Sequence, residues 1–431
     1  MLIVCEVKMK TSVRLRRILF VVVILYWYAL YVHVPIQTSH LYKLGVSAGA
    51  AGIIIGAYGF GQVLLRVPLG MHCDRSGRLF PYVLIGTAVG TLGAIFRLGV
   101  NSPRSFLVAN ILGGIAAAVW IAVLALFAQL FSQAELHRAM AYATTGHSTA
   151  MLTSSLSCAA LVGRSGMRGV AAAEIVAGLL AFVLAVVAYR VYCREVHAAV
   201  TKVRPGGGSN ESGADGVENV APGSYGGDSG ADLTYGAFWR TVKNVRLWQF
   251  AMLAFVHQGL ILSLVMSFVA NQAQVIGADE KEIAAATFLY WAVTVLVNAL
   301  AGRALMVKLG AKFWLPVSLV LAAIYCLLLL RITAVWQLFL LQIMGGIFGG
   351  TVLPFSMSES LAEIPRSHRG TALGVYQAIL AGGMVLLPSL SGALIQRLGI
   401  VGGFCFLSLA ALAAAGYAYF ITHQRSPGKV R

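Results

Sequence analysis

Hydrophobic positions along this chain fall into long unbroken blocks, without the alternation of a half-buried strand or the narrow stripe of a surface helix. The blocks cover residues 18–36, 50–69, 80–96, 106–131, 141–162, 170–189, 247–269, 283–301, 313–330, 335–355, 371–394 and 401–421. Each is close to the ~17–25 residues that a helix needs to cross a bilayer. In lipid a single segment satisfies its backbone donors and acceptors by itself only as a helix. The pattern therefore predicts an all-α integral membrane protein with twelve transmembrane spans, numbered 1 to 12 in chain order.

Composition agrees with this picture. The chain is 59% hydrophobic and 11% charged, against the roughly 25% charged residues of an average soluble domain. Lys8, Lys10, Arg14, Arg16 and Arg17 precede the first block, as in a signal peptide. That block is longer than the ~7–15 apolar residues of a signal core, and no small-residue cleavage site follows, so it reads as a retained first span.

The formal charge of +17 raises the question of nucleic acid. Placed on the spans, 23 of the 32 Lys and Arg residues fall on the side of the amino terminus. Eight fall on the other side (Lys43, Arg97, Arg104, Arg164, Arg168, Lys281, Arg331 and Arg397), and Arg66 lies within span 2. This asymmetry follows the positive-inside rule, so both termini are expected in the cytoplasm and no nucleic-acid partner is expected. The six cysteines are scattered without a C-x-x-C pair, which suggests neither a disulfide framework nor a metal site.

Between spans 6 and 7 the sequence RPGGGSNESGADGVENVAPGSYGGDSGADLTYG is rich in Gly, Ser and Asp and too poor in apolar residues to fold. It divides the chain into an amino-terminal six-helix bundle (1–193), a disordered cytoplasmic linker (194–243) and a carboxy-terminal bundle (244–431). The halves look duplicated. HRAMA before span 5, starting at His137, returns as HRGTA before span 11, starting at His368. GRLFPYV after span 2, starting at Gly77, has an echo at nearly the same offset in GAKFWLP after span 8, starting at Gly310. Six-helix parallel repeats with a substrate site between them at mid-membrane are a known architecture of secondary transporters.

The stretch GMHCDRSGR (70–78) concentrates charge beside apolar spans. Its pattern of Gly70, Asp74, Arg75, Gly77 and Arg78 resembles the signature loop of the major facilitator superfamily, and RGTALGVYQ, opening span 11 at Arg369, supports the likeness. The resemblance covers essentially the whole chain. It implies a gating loop in which Asp74 latches onto the start of span 11, where unsatisfied N–H groups and the helix dipole favour a carboxylate. Arg75 and Arg78 would then pair with Asp74 or with Glu135, Glu359 or Glu363. The second copy departs from the pattern: Val307 stands for the aspartate and Arg303 for the first glycine, while Lys308 and Gly310 remain.

Ionisable residues inside a bilayer are costly and are functional candidates by default. Arg66 reads either as a snorkelling or interhelical hydrogen-bonding arginine near the inner gate or as a holder of an anionic substrate. Glu174, the one carboxylate well within a span, either carries a proton or faces Arg164 or Arg168 at the outer boundary. His33, His147 and His257 are rival proton sites, since histidine titrates near neutrality. The family resemblance implies a pathway lined by spans 1, 4, 7 and 10, which selects Tyr31, Asn110, Gln258 and Gln342.

Two features that drug antiporters of that family usually carry are missing. Asn110 stands where span 4 would hold an arginine, and GHSTAMLTSSLS in span 5 lacks a G-P-x-x-G-G run. The sequence contains no P-loop, no HExxH and no nucleophile–base pair, so neither an enzyme nor a cofactor is expected. The leading expectation is a monomeric secondary transporter in a cell inner membrane, moving a small solute with a proton or down its own gradient. The alternatives are an efflux antiporter and a transporter-like sensor that no longer transports.

Overall fold

The computed structural model describes residues 13–76, 79–131, 136–203, 235–301, 304–364 and 369–423, all in helices and short turns with no strand among them. Among these residues, nine helices are long and apolar enough to cross a membrane. Two of the nine are double: Leu136–Val203 breaks at Gly166 into spans 5 and 6, and Arg369–His423 breaks at Gly399 into spans 11 and 12. With Glu280–Ala301 as span 8, the count reaches the twelve spans expected. Helix continues to Val203, and a further helix covers Tyr235–Val242, so both edges of the expected linker are helical. The rest of that linker lies outside the described residues, as do Gly77, Arg78 and Glu135.

Three spans are discontinuous, span 4 only at the single turn residue Val119. Span 1 runs Val13–Tyr31 and resumes as Val34–Lys43. Pro35 causes the break, because it has no N–H to offer the Tyr31 carbonyl and its ring crowds that oxygen. Span 7 passes from Val245–Ser263 through a single π-turn, Leu264–Phe268, into Val269–Val275.

The duplication is visible in the packing. Gly113 and Gly114 of span 4 (Pro103–Ala118, continued as Trp120–Gln129) press on Tyr58 of span 2 (Ala48–Ser76). Gly345 and Gly346 of span 10 (Val335–Ser360) press in the same way on Tyr290 of span 8, with glycines and tyrosine displaced along the chain by one common spacing. The breaks also correspond. Gly166 (φ 56°, ψ −155°) and Gly399 (φ 73°, ψ 179°) hold equivalent places in the two halves, in a backbone region open essentially to glycine alone. Gly310, the glycine that the second loop retains, has φ 63°. Nothing lies within 4 Å of a Cβ added at Gly166 or Gly399. Gly166→Ala and Gly399→Ala should therefore each lose about 1–3 kcal/mol, from backbone strain alone. Melting of the detergent-purified variants checks this; an unchanged midpoint would show that the breaks relax freely.

Peripheral spans carry stripes of exposed apolar residues, such as Leu179, Leu180, Val183 and Val187 on span 6 and Val317, Val320, Ile324 and Leu327 on span 9. Their helical spacing is that of a face turned to lipid. The two halves meet along spans 2 and 11, which pack antiparallel over their whole length, and along spans 5 and 8. Gly49, Gly52, Gly56 and Gly59 face Gln396, Pro388, Val385 and Ala381 across the first of these seams, and Gly70 abuts Gly370 and Gly374. Small residues let the backbones approach closely.

Candidate functional site

At the break in span 1, the His33 ring turns inward from the end of a helix whose next turn begins at Val34. Its Nδ1 lies 2.5 Å from Oε1 of Glu174 on span 6. The other carboxylate oxygen of Glu174 accepts from Nη1 of Arg97, at 2.6 Å. Arg97 is in the last turn of span 3 (Phe80–Gly99), and its Nη2 reaches Oδ1 of Asn110 on span 4 at 3.4 Å. The Asn110 amide in turn donates to the Ile54 carbonyl of span 2 at 2.7 Å. Five spans thus converge on one polar cluster, and Glu174 and Arg97 are 0% and 6% exposed. Gln37, one turn beyond His33, and Tyr28, one turn before Val32, complete its surroundings.

This geometry corrects one sequence expectation. The partner of Glu174 is Arg97, not Arg164 or Arg168, both of which are exposed. Arg97 itself is buried, although it stands in the last turn of span 3.

A cavity borders the cluster. His33, Gln37 and Asn110 line it together with Tyr31, Tyr58 and Leu262, the last from span 7, so it opens on the seam between the halves. The Tyr58 hydroxyl donates to that of Tyr31 at 3.3 Å. On the side of the cavity nearer the chain termini stands Arg66, whose Nη1 donates to the side-chain oxygen of Gln377 on span 11 at 2.6 Å and to its carbonyl at 2.9 Å. Arg66 is 4% exposed, so it bridges the halves and does not snorkel.

The other expected residues are dispersed. His147 lies against Trp27 and Trp120, with ring centroids at 4.5 and 5.7 Å. His257 is fully buried, edge-on to Phe348 and beside the Gly349 backbone. Gln342 accepts from Tyr325 at 3.4 Å, and Gln258 is half-buried on span 7. In the gating loop, Gly70 touches the opening turn of span 11, whereas the side chains of Asp74, Arg75 and Arg369 lie outside the described residues. Glu359 and Glu363 both pair with Arg246 at the start of span 7; the side chains of the loop arginines lie outside the described residues.

At the opposite end of the bundle, Lys43 of span 1 pairs with Glu280 of span 8 at 2.6 Å. Ser47 reaches Gln396 of span 11 at 3.4 Å. These contacts tie the halves together on the side away from the termini.

A twelve-span bundle of two repeats, with a buried polar cluster in the first repeat bordering a cavity that reaches the second, is the build of a membrane transporter. The family model for the Major Facilitator Superfamily matches residues 19–275 and again 250–431, and the chain belongs to that family. It is 28% identical over 172 residues to the multidrug resistance protein MdtG of Dickeya zeae, covering 39% of this chain and 42% of that protein. It is 32% identical over 109 residues to the inner membrane transport protein YajR of Escherichia coli, covering 25% of this chain and 24% of that one. The chain therefore aligns with less than half the length of these relatives. Its fold is similar to that of a bacterial homologue of the human lysosomal transporter Spinster, with a TM-score of 0.69 and 15% identity, covering 98% of this chain and 100% of that one. It is also similar to an autoinhibited POT family peptide transporter, with a TM-score of 0.71 and 11% identity, covering 97% and 98%.

Proposed function

We propose that this protein is a proton-coupled secondary transporter that moves a small solute by alternating access, with His33 as the proton carrier. The observation that carries the reading is the contact of His33 with Glu174 and Arg97 at the break in span 1. One face of the histidine is on the cavity and the other on a buried ion pair. With the ring neutral, Arg97 and Glu174 balance each other. A proton taken from the cavity leaves the cluster with one net positive charge and strengthens the hold of Glu174 on the ring. Because His33 forms the hinge between the two parts of span 1, that change acts on the helix lining the pathway.

Alternation would open and close the contacts at the two ends of the seam, Lys43–Glu280 and Ser47–Gln396 at one end and the Asp74 loop against span 11 at the other. The distribution of Lys and Arg supports both termini facing the cytoplasm of a cell whose inner membrane holds the protein. The relative named a multidrug resistance protein favours a second reading, efflux of lipophilic compounds.

Proteoliposomes with a trapped pH dye test both. Sugars, amino acids, nucleosides, small carboxylates and lipophilic cations are added in turn, and solute entry and internal pH are followed together. The expected result is one class that moves with a proton, and a His33→Gln variant in which solute still exchanges but the proton signal is lost. Solute movement with no proton signal in the native protein, or an unchanged signal in His33→Gln, overturns the coupling role. A response confined to lipophilic cations selects efflux.

A further inference from the structure

Span 1 changes character at its break. From Ile18 to Val32 every side chain is aliphatic or aromatic, whereas from Gln37 to Lys43 all but Leu41 carry a polar group. The polar limb, Val34–Lys43, lies on the side away from the termini and is packed against spans 2, 7 and 8. Gln37, Thr38 and Ser39 are 4%, 0% and 0% exposed. The Gln37 amide nitrogen and the hydroxyls of Thr38, Ser39 and Tyr42 have no hydrogen-bond partner among the described residues. Four such groups on one short segment are a net loss unless water satisfies them. Room for water exists where it matters: the cavity lined by His33, Gln37 and Asn110 measures about 20 Å³, enough for a single molecule. His33, Gln37 and His40 share one face of the limb, at the i, i+4, i+7 spacing of a helix. The Gln37 side chain contacts the His33 ring. His40 stands half-buried near the outer end, its Nε2 donating to Oδ1 of Asn101 at 2.7 Å, so Nδ1 is the nitrogen left to take up a proton. One turn further, Lys43 borders a cavity of about 340 Å³ whose other charged walls are Asp279, Glu280 and Lys281, a space that brings bulk water to this end of the limb.

We propose that the proton reaches His33 from the side of the membrane away from the termini, along the His40–Gln37 face of span 1, and that Gln37 positions the water that hands it over. This rests on the reading of His33 as the proton carrier and adds the route and its direction. A proton from the outer water binds Nδ1 of His40 while Nε2–H stays on Asn101. It then passes to the water held by Gln37. There one O–H bond breaks as an N–H bond forms on the His33 nitrogen turned away from Glu174, and the proton from the His40 side restores the water. One positive charge is added to the cluster and nothing else changes hands. Such a route needs hydrogen bonds rather than an open gate, so it works while the Lys43–Glu280 contact still excludes a solute. The inner side is built differently. Below the break span 1 is apolar, and beyond the cavity stands Arg66, which has no carboxylate within ion-pair distance among the described residues. A fixed guanidinium opposes a proton travelling that way.

The route is read in detergent, without transport, as the exchange of the His33 ring proton with water, followed by NMR of the full chain carrying isotope-labelled histidine. The signal is assigned by its absence from His33→Gln. Gln37→Met removes the amide at similar volume, and His40→Phe removes the outer acceptor. Each should slow the exchange at least about tenfold, the loss of a positioned proton-transfer group. Structural damage would act in the opposite sense, because a loosened bundle exchanges faster. Gln37→Asn keeps an amide one methylene short, should fall between, and carries the test if the methionine variant does not fold. Tyr31→Phe asks the same of the inner wall of the cavity and should not slow the exchange. Native-like exchange in both Gln37 variants, no effect of His40→Phe, or slowing by Tyr31→Phe each overturns the route. In proteoliposomes Gln37→Met should move solute and proton in the native ratio at a lower rate, unlike His33→Gln. Slowed exchange in a protein whose solute moves without a proton would fault the coupling at His33 and leave the route standing. Coupled transport with native exchange in every variant would do the reverse.

Discussion

Arg97→Gln is expected to destabilise the purified protein by about 3–5 kcal/mol, and Glu174→Gln by a similar amount, while the double variant recovers a large part of either loss. Each single change strands a charge among spans 1, 3, 4 and 6, where no water replaces the missing partner. Removing both leaves two amides of similar size that can bond to each other. Melting of the four proteins in detergent closes the cycle. If the two losses simply add, the contact at 2.6 Å carries no coupling energy, and the cluster is a set of independent polar groups. His33 sharpens the prediction. In Glu174→Gln the ring at the hinge of span 1 loses its anionic neighbour, so the proton signal should vanish together with stability. In Arg97→Gln the carboxylate remains beside the ring, and the signal should persist in whatever protein stays folded.

That this cluster was only half legible in the sequence has a physical reason. Glu174 stands out because a lone carboxylate in an apolar block needs a partner. Arg97 does not, because a cation near the end of a block reads as a boundary charge. Which cation meets which carboxylate depends on spans 3 and 6 being neighbours, a tertiary fact that hydropathy does not carry. The same holds for Arg246, whose pairing with Glu359 and Glu363 joins spans 7 and 10. The spans, the two halves and the place of Arg66 follow from periodicity, transfer energy and local repetition, and these were readable. Pro35 was a visible breaker, but that its break would put His33 beside Glu174 could be seen only once the bundle was assembled. The duplication, weak as two short matches, becomes plain when Gly113 and Gly114 on Tyr58 are set beside Gly345 and Gly346 on Tyr290.

Gly52→Val should leave membrane insertion intact and abolish transport. A Cβ at this position would collide with the Pro388 carbonyl, coming within 3.0 Å of its carbon, and would stand 3.4 Å from the Gly392 Cα. These are backbone atoms of span 11, so no side chain can swing aside and the whole helix must move. Overpacking of this kind costs about 1–3 kcal/mol, a modest loss for folding but a large one for a seam that has to close in every cycle. The contact lies near the end tied by Lys43–Glu280 and Ser47–Gln396, so the variant is expected to remain open there. Ser47→Cys with Gln396→Cys, in a background without the native cysteines, reports closure through a short bifunctional thiol reagent. Cross-linking should be efficient where Gly52 is retained and weak in the Gly52→Val protein. Gly416→Val is the control, because nothing lies within 4 Å of its added Cβ, and it should behave as the native protein. Transport by Gly52→Val at the native rate would mean that spans 2 and 11 separate and rejoin without ever needing the close approach their glycines permit.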